Sequence, residues 1–279
     1  MNGPIAQVVA LTCYGNAFLS GHPCDRFFPA NSTCQFCERV AFVTLGWSFF
    51  GRASETEIAN SPDAWFALLK SRKALGIRLH HVSHYNPMIV ARMLAGFAGG
   101  DGAWTMEVLF PDRAGESWIA RWGIGNQQAP DRRIWQVTYG RLSRGRTSRP
   151  SVCDLKKASH ELDETLKEAR SFSAKQGMAG FTKCFDEALD TLATRGRNRH
   201  GYHKDLAPRG FLSDDAAMLL DACQSAWVFG GMGSWNDLGF QGEDQKTYER
   251  VSDRLFDALN AAIVQAATSS AKAGRASSG

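Results

Sequence analysis

The sequence predicts an α+β fold, with a mixed N-terminal half and a largely helical C-terminal half. In the middle of the chain, residues 103–110, 117–123 and 133–139 are short stretches of Trp, Val, Ile and Thr in partial alternation, separated by turn-forming residues. This pattern is typical of a short antiparallel meander. Beyond Ser151 the apolar residues recur at steps of three or four, which is the period of an amphipathic helix.

Length and composition predict the domain organisation. A chain of 279 residues with 44% hydrophobic content can bury a substantial core. We expect a single α+β domain over residues 1–267, with a sub-boundary near residues 140–151 as the alternative. Residues 268–279 are rich in Ser, Ala, Gly and Lys, which predicts a disordered tail.

The first elements are predicted from short apolar runs. Residues 5–12 are almost entirely apolar and contain two valines, which indicates a buried strand that ends near Cys13. Gly15 and Asn16 then predict a turn. Residues 39–45 are compatible with either a strand or a short helix.

Helix signals follow Gly51. Ser54 and Glu57 have the spacing of a capping box, and Ser61, Pro62 and Asp63 are suited to the start of a helix that runs to Leu75. Residues 77–83 are expected to form a strand or a turn. A further helix is expected from about residue 86 to residue 98.

Four helices are expected in the second half of the chain. They begin near Asp154, Met178 and Ser213, and the last one carries an apolar stripe from Tyr248 to Ile263. Residues 230–242 join the last two helices and contain Trp235, so we expect this loop to pack against the core as a structural elbow. The alternatives are a polar cleft formed by the loop and a docking surface for a partner.

Composition excludes two classes of protein. No apolar run approaches the roughly 20 residues that cross a bilayer, and no basic segment precedes residues 5–11. We therefore expect a soluble, cytoplasmic protein with neither a membrane span nor a secretion signal. Seven cysteines are an odd number, which favours reduced thiols or metal ligands over a disulfide framework.

The positive charge is concentrated in two loops, although the formal net charge is only +4. Arginine offers a planar set of donors that suits phosphate, and neighbouring aromatic rings can stack on bases. The two loops therefore predict a site for an anionic ligand, such as a nucleotide or nucleic acid; the alternative is that they are simply solvated. The candidate ligand-binding residues are Arg141, Arg144, Arg146, Arg195, Arg197, Arg199 and Tyr202.

Four N-terminal cysteines form the first candidate metal site. Cys34 and Cys37 are spaced as Cys-Gln-Phe-Cys, which can place two thiolates on one side of a zinc ion. Cys13 and Cys24 would have to complete the tetrahedron through folding, and His22 could replace either of them. The alternatives are a redox pair and buried reduced cysteines.

A histidine cluster forms the second candidate metal site. His80 and His84 share a face on either a helix or a strand, so they could bind a metal ion or act in acid/base chemistry. The His-Glu-x-x-His pattern of a metalloprotease helix is absent, because His81, Val82 and Ser83 lie between the two histidines.

The remaining motifs for catalysis are incomplete. Ser234 lacks the flanking glycines of a Gly-x-Ser-x-Gly elbow, and Gln128 occupies the position of the third glycine in a dinucleotide fingerprint. We therefore expect a binding protein that recognises an anionic ligand or a macromolecular partner through its arginine-rich loops. The alternative is a metal-dependent or thiol hydrolase that uses the His80 cluster or the N-terminal cysteines.

Overall fold

A computed structural model describes residues 1–47, 53–82, 92, 103–112, 114–146, 153–195 and 202–276. Within these ranges the chain has an α+β fold, as the sequence predicts. The helices are α1 (Gly3–Ser20), α2 (Pro62–Ser71), α3 (Leu155–Lys175), α4 (Ala179–Thr194), α5 (Asp214–Ala226) and α6 (Gly242–Ala276). The strands are β1 (Cys37–Trp47), β2 (Ala53–Ala59), β3 (Gly76–Val82), β4 (Ala103–Leu109), β5 (Ala114–Ile124) and β6 (Trp135–Arg146).

The strands form one mixed sheet in the order β2-β1-β6-β5-β4-β3. The predicted meander is confirmed, because β4, β5 and β6 are consecutive antiparallel neighbours. Strand β1 pairs in parallel with β6, so that Cys37 lies opposite Trp135, while Ile124 of β5 lies opposite Trp135 on the other side. The starts of β1 and β6 and the end of β5 therefore meet at one end of these neighbouring strands, where a cavity opens.

The first element is a helix, and the prediction of a strand at residues 5–12 was wrong. Asn2 caps α1 by accepting a hydrogen bond from the Ile5 amide at 3.0 Å, and Pro4 occupies the first turn. The helix is buried over most of its length and packs against α6, β3 and α2. A continuous apolar run does not distinguish a buried strand from a helix that is enclosed on every side.

Gly15 and Asn16 lie within α1 and do not form the predicted turn. A Cβ atom on Gly15 would lie 2.5 Å from Ile77 Cδ1, so the glycine permits close contact between α1 and β3. The side chain of Asn16 accepts a hydrogen bond from the Ile77 amide at 2.7 Å and donates one to the Ile77 carbonyl at 2.9 Å. These residues therefore join the central helix to the edge of the sheet.

The expected helix start at Ser54 and Glu57 was also wrong, because residues 53–59 form the edge strand β2. Backbone pairing with β1 outweighs the local capping pattern, and Glu57 forms an ion pair with Arg39 of that strand. The helix start at Ser61 is confirmed, since its hydroxyl accepts a hydrogen bond from the Ala64 amide. The strand alternatives are confirmed within Cys37–Trp47 and Gly76–Val82, whereas the helix expected at residues 86–98 falls outside the described residues except for Arg92.

The loop before α6 packs against the helices, as predicted. Trp235 is fully buried among aromatic rings that include Phe172 and Phe185, and its indole donates a 2.7 Å hydrogen bond to Ser252. The Trp235 ring is therefore part of the core and is not available for docking a partner.

Helix α6 continues into the stretch that was expected to be a disordered tail. Thr268 exchanges hydrogen bonds with the backbone of Leu79 in β3, and Ser270 accepts one from Asn16 at 2.7 Å. Small and polar residues can thus form part of a buried helix interface when a partner strand and helix supply the hydrogen bonds.

Candidate functional site

A cavity of about 440 Å³ opens at the end of the sheet where strands β1 and β6 begin. We call it the aromatic cavity, because four of its lining residues are Phe36, Trp122, Trp135 and Tyr202. Its other lining residues are Met1, Asn2, Gly3, Pro4, Ser32, Thr33, Cys37, His203, Gly230 and Gly231.

The aromatic wall comes from three parts of the chain. Trp122 at the end of β5 meets Trp135 at the start of β6 edge to face, with ring centroids 5.9 Å apart. Phe36 is 38% exposed and Tyr202 is 69% exposed. Aromatic rings that border a cavity while remaining partly exposed are suited to stacking with a bound ring.

Ser32 and His203 line one wall of the aromatic cavity, and they form a polar cluster with Asp205, which is not itself part of the lining. The Ser32 hydroxyl donates to the Asp205 carboxylate, and the Ser32 amide donates to the same carboxylate at 2.7 Å. His203 Nδ1 lies 3.0 Å from Ser32 Oγ. Asn31 donates to the Asp205 backbone carbonyl at 2.8 Å, which holds the two segments together.

This order of contacts differs from that of a serine hydrolase triad. In a triad the carboxylate orients the histidine, and the histidine takes the proton of the serine. Here the serine hydroxyl donates directly to the carboxylate of Asp205, and His203 Nδ1 faces the serine oxygen instead of the carboxylate. The cluster therefore supplies hydrogen-bonding groups without the proton relay of that enzyme class.

Burial lowers the pKa of His203 to about 4, so its ring is neutral near neutral pH. The single hydroxyl proton of Ser32 is donated to Asp205, so the Nδ1 atom of His203 donates its own proton to Ser32 Oγ. The Nε2 atom is then the hydrogen-bond acceptor of the ring.

A second polar group lies beneath the aromatic cavity. Gln7, in the N-terminal half of α1, is fully buried. Its amide nitrogen donates to the Thr33 carbonyl at 3.2 Å and lies 3.8 Å from the sulfur of Cys34 and 3.5 Å from that of Cys37. Tyr139 donates to the Gln7 carbonyl oxygen at 2.9 Å, which fixes the orientation of the amide.

The two cysteines next to Gln7 have different thiol acidities. A hydrogen bond from the Cys34 thiol lowers the pKa of Cys37, whereas the pKa of Cys34 is raised. Burial raises the pKa of Cys13 and of Cys223 to about 12. Cys37 is therefore the most acidic of these thiols, and it is also the one that lines the aromatic cavity.

The structure does not support a four-cysteine zinc site. Cys13 lies in the middle of α1, Cys24 lies in the loop that follows it, and none of the seven cysteines, all within the described residues, forms a disulfide. Among the described residues, no three or more His, Cys, Asp or Glu side chains are grouped so as to hold a metal ion. His80 Nε2 lies 2.9 Å from the Glu107 carboxylate in the neighbouring strand, and His84 is outside the described residues.

The first arginine-rich loop is partly a strand, because β6 extends to Arg146. Arg141 lies 3.0 Å from the Glu116 carboxylate, which is fully buried and also binds Arg72 at 2.6 Å. Arg141 therefore compensates a buried charge within the fold. The side chains of Arg144 and Arg146 are outside the described part of the structure.

The second arginine-rich loop is described at its two ends only, since Arg197 and Arg199 fall outside the described residues. Tyr202 borders the aromatic cavity. Arg195 borders a second cavity of about 340 Å³, where helices α3, α4 and α5 meet, and lies 3.4 Å from the Asp215 carboxylate. We call this the charged cavity, because its lining includes Lys156, His160, Asp163, Arg195 and Asp215.

Sequence reasoning missed most of the residues that form the aromatic cavity. Ser32 and Asp205 are separated by 173 positions, and neither belongs to a recognisable motif. Gln7 was the one signal in the sequence for a polar group near this cavity. A lone amide inside an apolar run must find hydrogen-bond partners when it is buried.

Comparison with known proteins adds no functional assignment. No protein-family model matches the chain, and neither a search of curated proteins nor one of solved structures finds a match. Among the described residues, no helix has the length and apolar character needed to cross a membrane.

Proposed function

We propose that the protein binds a small, uncharged aromatic molecule that carries a hydrogen-bond donor, and that the aromatic cavity is the binding site. The cavity volume of about 440 Å³ falls within the range of small-molecule sites, about 300–1,000 Å³. The observation that carries the proposal is the pairing of four aromatic side chains with a neutral histidine in one cavity.

The aromatic walls favour a flat ring as the ligand. Trp122 and Trp135 hold each other edge to face, while Phe36 and Tyr202 remain partly exposed. A ring bound among them would remove this apolar surface from water and gain stacking contacts.

The absence of charged groups on the described cavity lining favours an uncharged ligand. None of the described lining residues is Lys, Arg, Asp or Glu, and His203 is neutral near neutral pH. Met1 brings its amino group to the lining, but burial lowers the pKa of that group to about 5, so it too is neutral near neutral pH. A charged ligand would lose its hydration there without meeting an opposite charge on the wall, which is costly.

The tautomer of His203 favours a donor on the ligand. Its Nδ1 proton is directed at Ser32, so the ring offers Nε2 as an acceptor. A hydroxyl or N–H group on the ligand would satisfy that acceptor, whereas a ligand without one would leave it unsatisfied on the polar wall.

This proposal retains the binding class that the sequence predicts, but at a different site. Recognition of an anionic ligand through the arginine-rich loops stays a prediction, with Arg195 as its member at the charged cavity. A hydrolase that uses the His80 cluster or the N-terminal cysteines likewise stays a prediction.

Calorimetric titration of the full chain with three related compounds tests the proposal. Naphthol has an aromatic ring with a donor, naphthalene has the ring alone, and naphthyl phosphate carries a negative charge. We expect naphthol to bind more tightly than naphthalene by about tenfold, which corresponds to one good hydrogen bond. Naphthyl phosphate should bind more weakly than either.

The variant His203→Phe locates the effect. It keeps a ring of similar size but removes the acceptor, so naphthol and naphthalene should bind this variant with equal affinity. His160→Phe, in the charged cavity, is the matched control and should leave the preference unchanged. Tighter binding of naphthyl phosphate than of naphthol would overturn the proposal and favour the anionic-ligand prediction.

A further inference from the structure

Two thiols lie side by side beneath the aromatic cavity, and the proposed ligand does not use them. Cys34 ends the short 3₁₀ turn Ser32–Cys34, and Cys37 begins β1. Both sulfurs lie within 4 Å of the same Gln7 nitrogen, at 3.8 and 3.5 Å. The Cys34 thiol also donates a hydrogen bond to Cys37, so the two sulfurs are in direct contact, and the pair has the Cys-x-x-Cys spacing of known redox motifs.

We propose that Cys34 and Cys37 form a reversible dithiol–disulfide couple that exchanges with a small-molecule disulfide entering through the aromatic cavity. The inference goes beyond the proposed binding function and does not depend on it. It uses the cavity only as the route by which a reagent reaches Cys37.

Gln7 gives this pair a polar environment that buried structural cysteines do not need. The residues of α1 next to Gln7, Ala6 and Val8, are apolar, yet the Gln7 amide directs its donors at the Thr33 carbonyl and at both sulfurs. Tyr139, itself fully buried, holds the opposite end of the amide at 2.9 Å. A donor beside sulfur stabilises a thiolate more than a thiol, because the thiolate is the stronger acceptor.

The two cysteines are placed for different roles. Cys37 lines the aromatic cavity, whereas Cys34 is not part of its lining. The hydrogen bond from the Cys34 thiol also favours the thiolate of Cys37. Cys37 is therefore the attacking residue, and Cys34 is the residue that resolves the mixed disulfide.

The exchange balances without any further reagent. The Cys37 thiolate attacks one sulfur of the external disulfide, which forms a mixed disulfide and releases one thiolate. Cys34 then loses its proton and attacks Cys37 Sγ, which closes the internal disulfide and releases the second thiolate. The two protons of the dithiol leave with the two released groups, so the protein is oxidised and the external disulfide is reduced to two thiols.

The experiment uses the full chain in glutathione buffers of varied ratio. Samples are quenched with acid, unfolded in guanidinium at mildly alkaline pH, alkylated there with iodoacetamide and analysed by peptide mass spectrometry. We expect the fraction of the Cys34–Cys37 disulfide to follow the ratio of oxidised to reduced glutathione. Cys13 and Cys223, which are fully buried within the same fold, should remain alkylatable thiols at every ratio and serve as internal controls.

Three variants separate the roles within the pair. Cys34→Ser should accumulate glutathione on Cys37, because the resolving thiol is absent. Cys37→Ser should react at least tenfold more slowly at Cys34. Gln7→Leu, which removes the donor, should raise the pH at which Cys37 reacts with iodoacetamide, and Gln35→Leu between the two cysteines is the matched control.

Two results would overturn the inference. One is a fully alkylated Cys34–Cys37 peptide at every glutathione ratio while circular dichroism shows an intact fold. The other is equal glutathione uptake by the Cys34→Ser and Cys37→Ser variants. Because these readouts involve no aromatic ligand, failure of naphthol binding leaves the redox inference standing, and the converse also holds.

Discussion

The aromatic cavity and the charged cavity have similar volumes, about 440 and 340 Å³, but very different walls. In the aromatic cavity, buried polar groups bind one another and leave an uncharged surface. In the charged cavity, acidic and basic side chains lie together at the exposed ends of three helices. The comparison shows that volume alone does not indicate a ligand; the chemistry of the wall does.

The largest difference between the two cavities is expected in the free energy of unfolding, when the aspartate beside each one is replaced by alanine. Asp205→Ala should lower the free energy of unfolding by about 2–4 kcal/mol, because the amide and the hydroxyl of Ser32 lose their acceptor. Asp215→Ala should lower it by about 1 kcal/mol or less, because its ion pair with Arg195 is solvent-screened. Urea unfolding followed by circular dichroism measures both values, and equal losses would contradict the distinction.

Acid should act on the aromatic cavity through His203. The pKa of this residue is about 4 in the folded state and 6.5 in the unfolded reference, so the unfolded chain binds the extra proton first as pH falls. The neutral His203 ring makes its full contribution to the free energy of unfolding above pH 6.5. This contribution, roughly 1–3 kcal/mol, is lost as pH falls towards about 4.

Urea unfolding at a series of pH values tests this effect. The wild-type chain should lose more stability over this window than His203→Gln, which has no ring to protonate. The same profile in both proteins would assign the acid sensitivity to another group.

A smaller effect is expected from trimming the aromatic wall. Trp135→Ala should weaken naphthol binding by about tenfold, since it removes one stacking surface. Lys156→Ala, in the charged cavity, is the control and should leave naphthol affinity unchanged. Calorimetric titration gives both affinities, and an unchanged value for Trp135→Ala would place the naphthol site elsewhere.

The smallest effect is expected at Arg195. ATP serves as the probe for the predicted anionic ligand. Asp215 already compensates the charge of Arg195 in part, so Arg195→Ala should change the affinity for ATP by no more than about threefold. A much larger loss, together with a steep dependence of wild-type binding on salt, would instead support the predicted anionic-ligand site.

The sequence predicted best where periodicity had a single interpretation. The alternating segments became β4, β5 and β6, and the stripe from Tyr248 to Ile263 became the buried face of α6. Alternation and a three-to-four repeat each indicate an element with one buried face. Such an element can be predicted without knowing which other elements cover that face.

Prediction failed where tertiary contacts outweighed a local pattern. Residues 5–12 have no polar face because α1 is enclosed by the sheet and other helices, which erases the helical period. The capping-box spacing of Ser54 and Glu57 lies in an edge strand, because pairing with β1 satisfies its backbone.

Local patterning and composition were sufficient for the α+β class, the meander and the helical second half, since these depend on residues close together in the chain. The candidate site depended on folding. Parallel pairing of β1 with β6 brings Cys37 beside Trp135. His203 comes from a loop that lies 171 residues after Ser32 in the sequence. The spacing of Cys34 and Cys37 was visible in the sequence, but contacts between distant positions leave no such pattern, so only the packed chain shows that this dithiol lies beside an aromatic cavity.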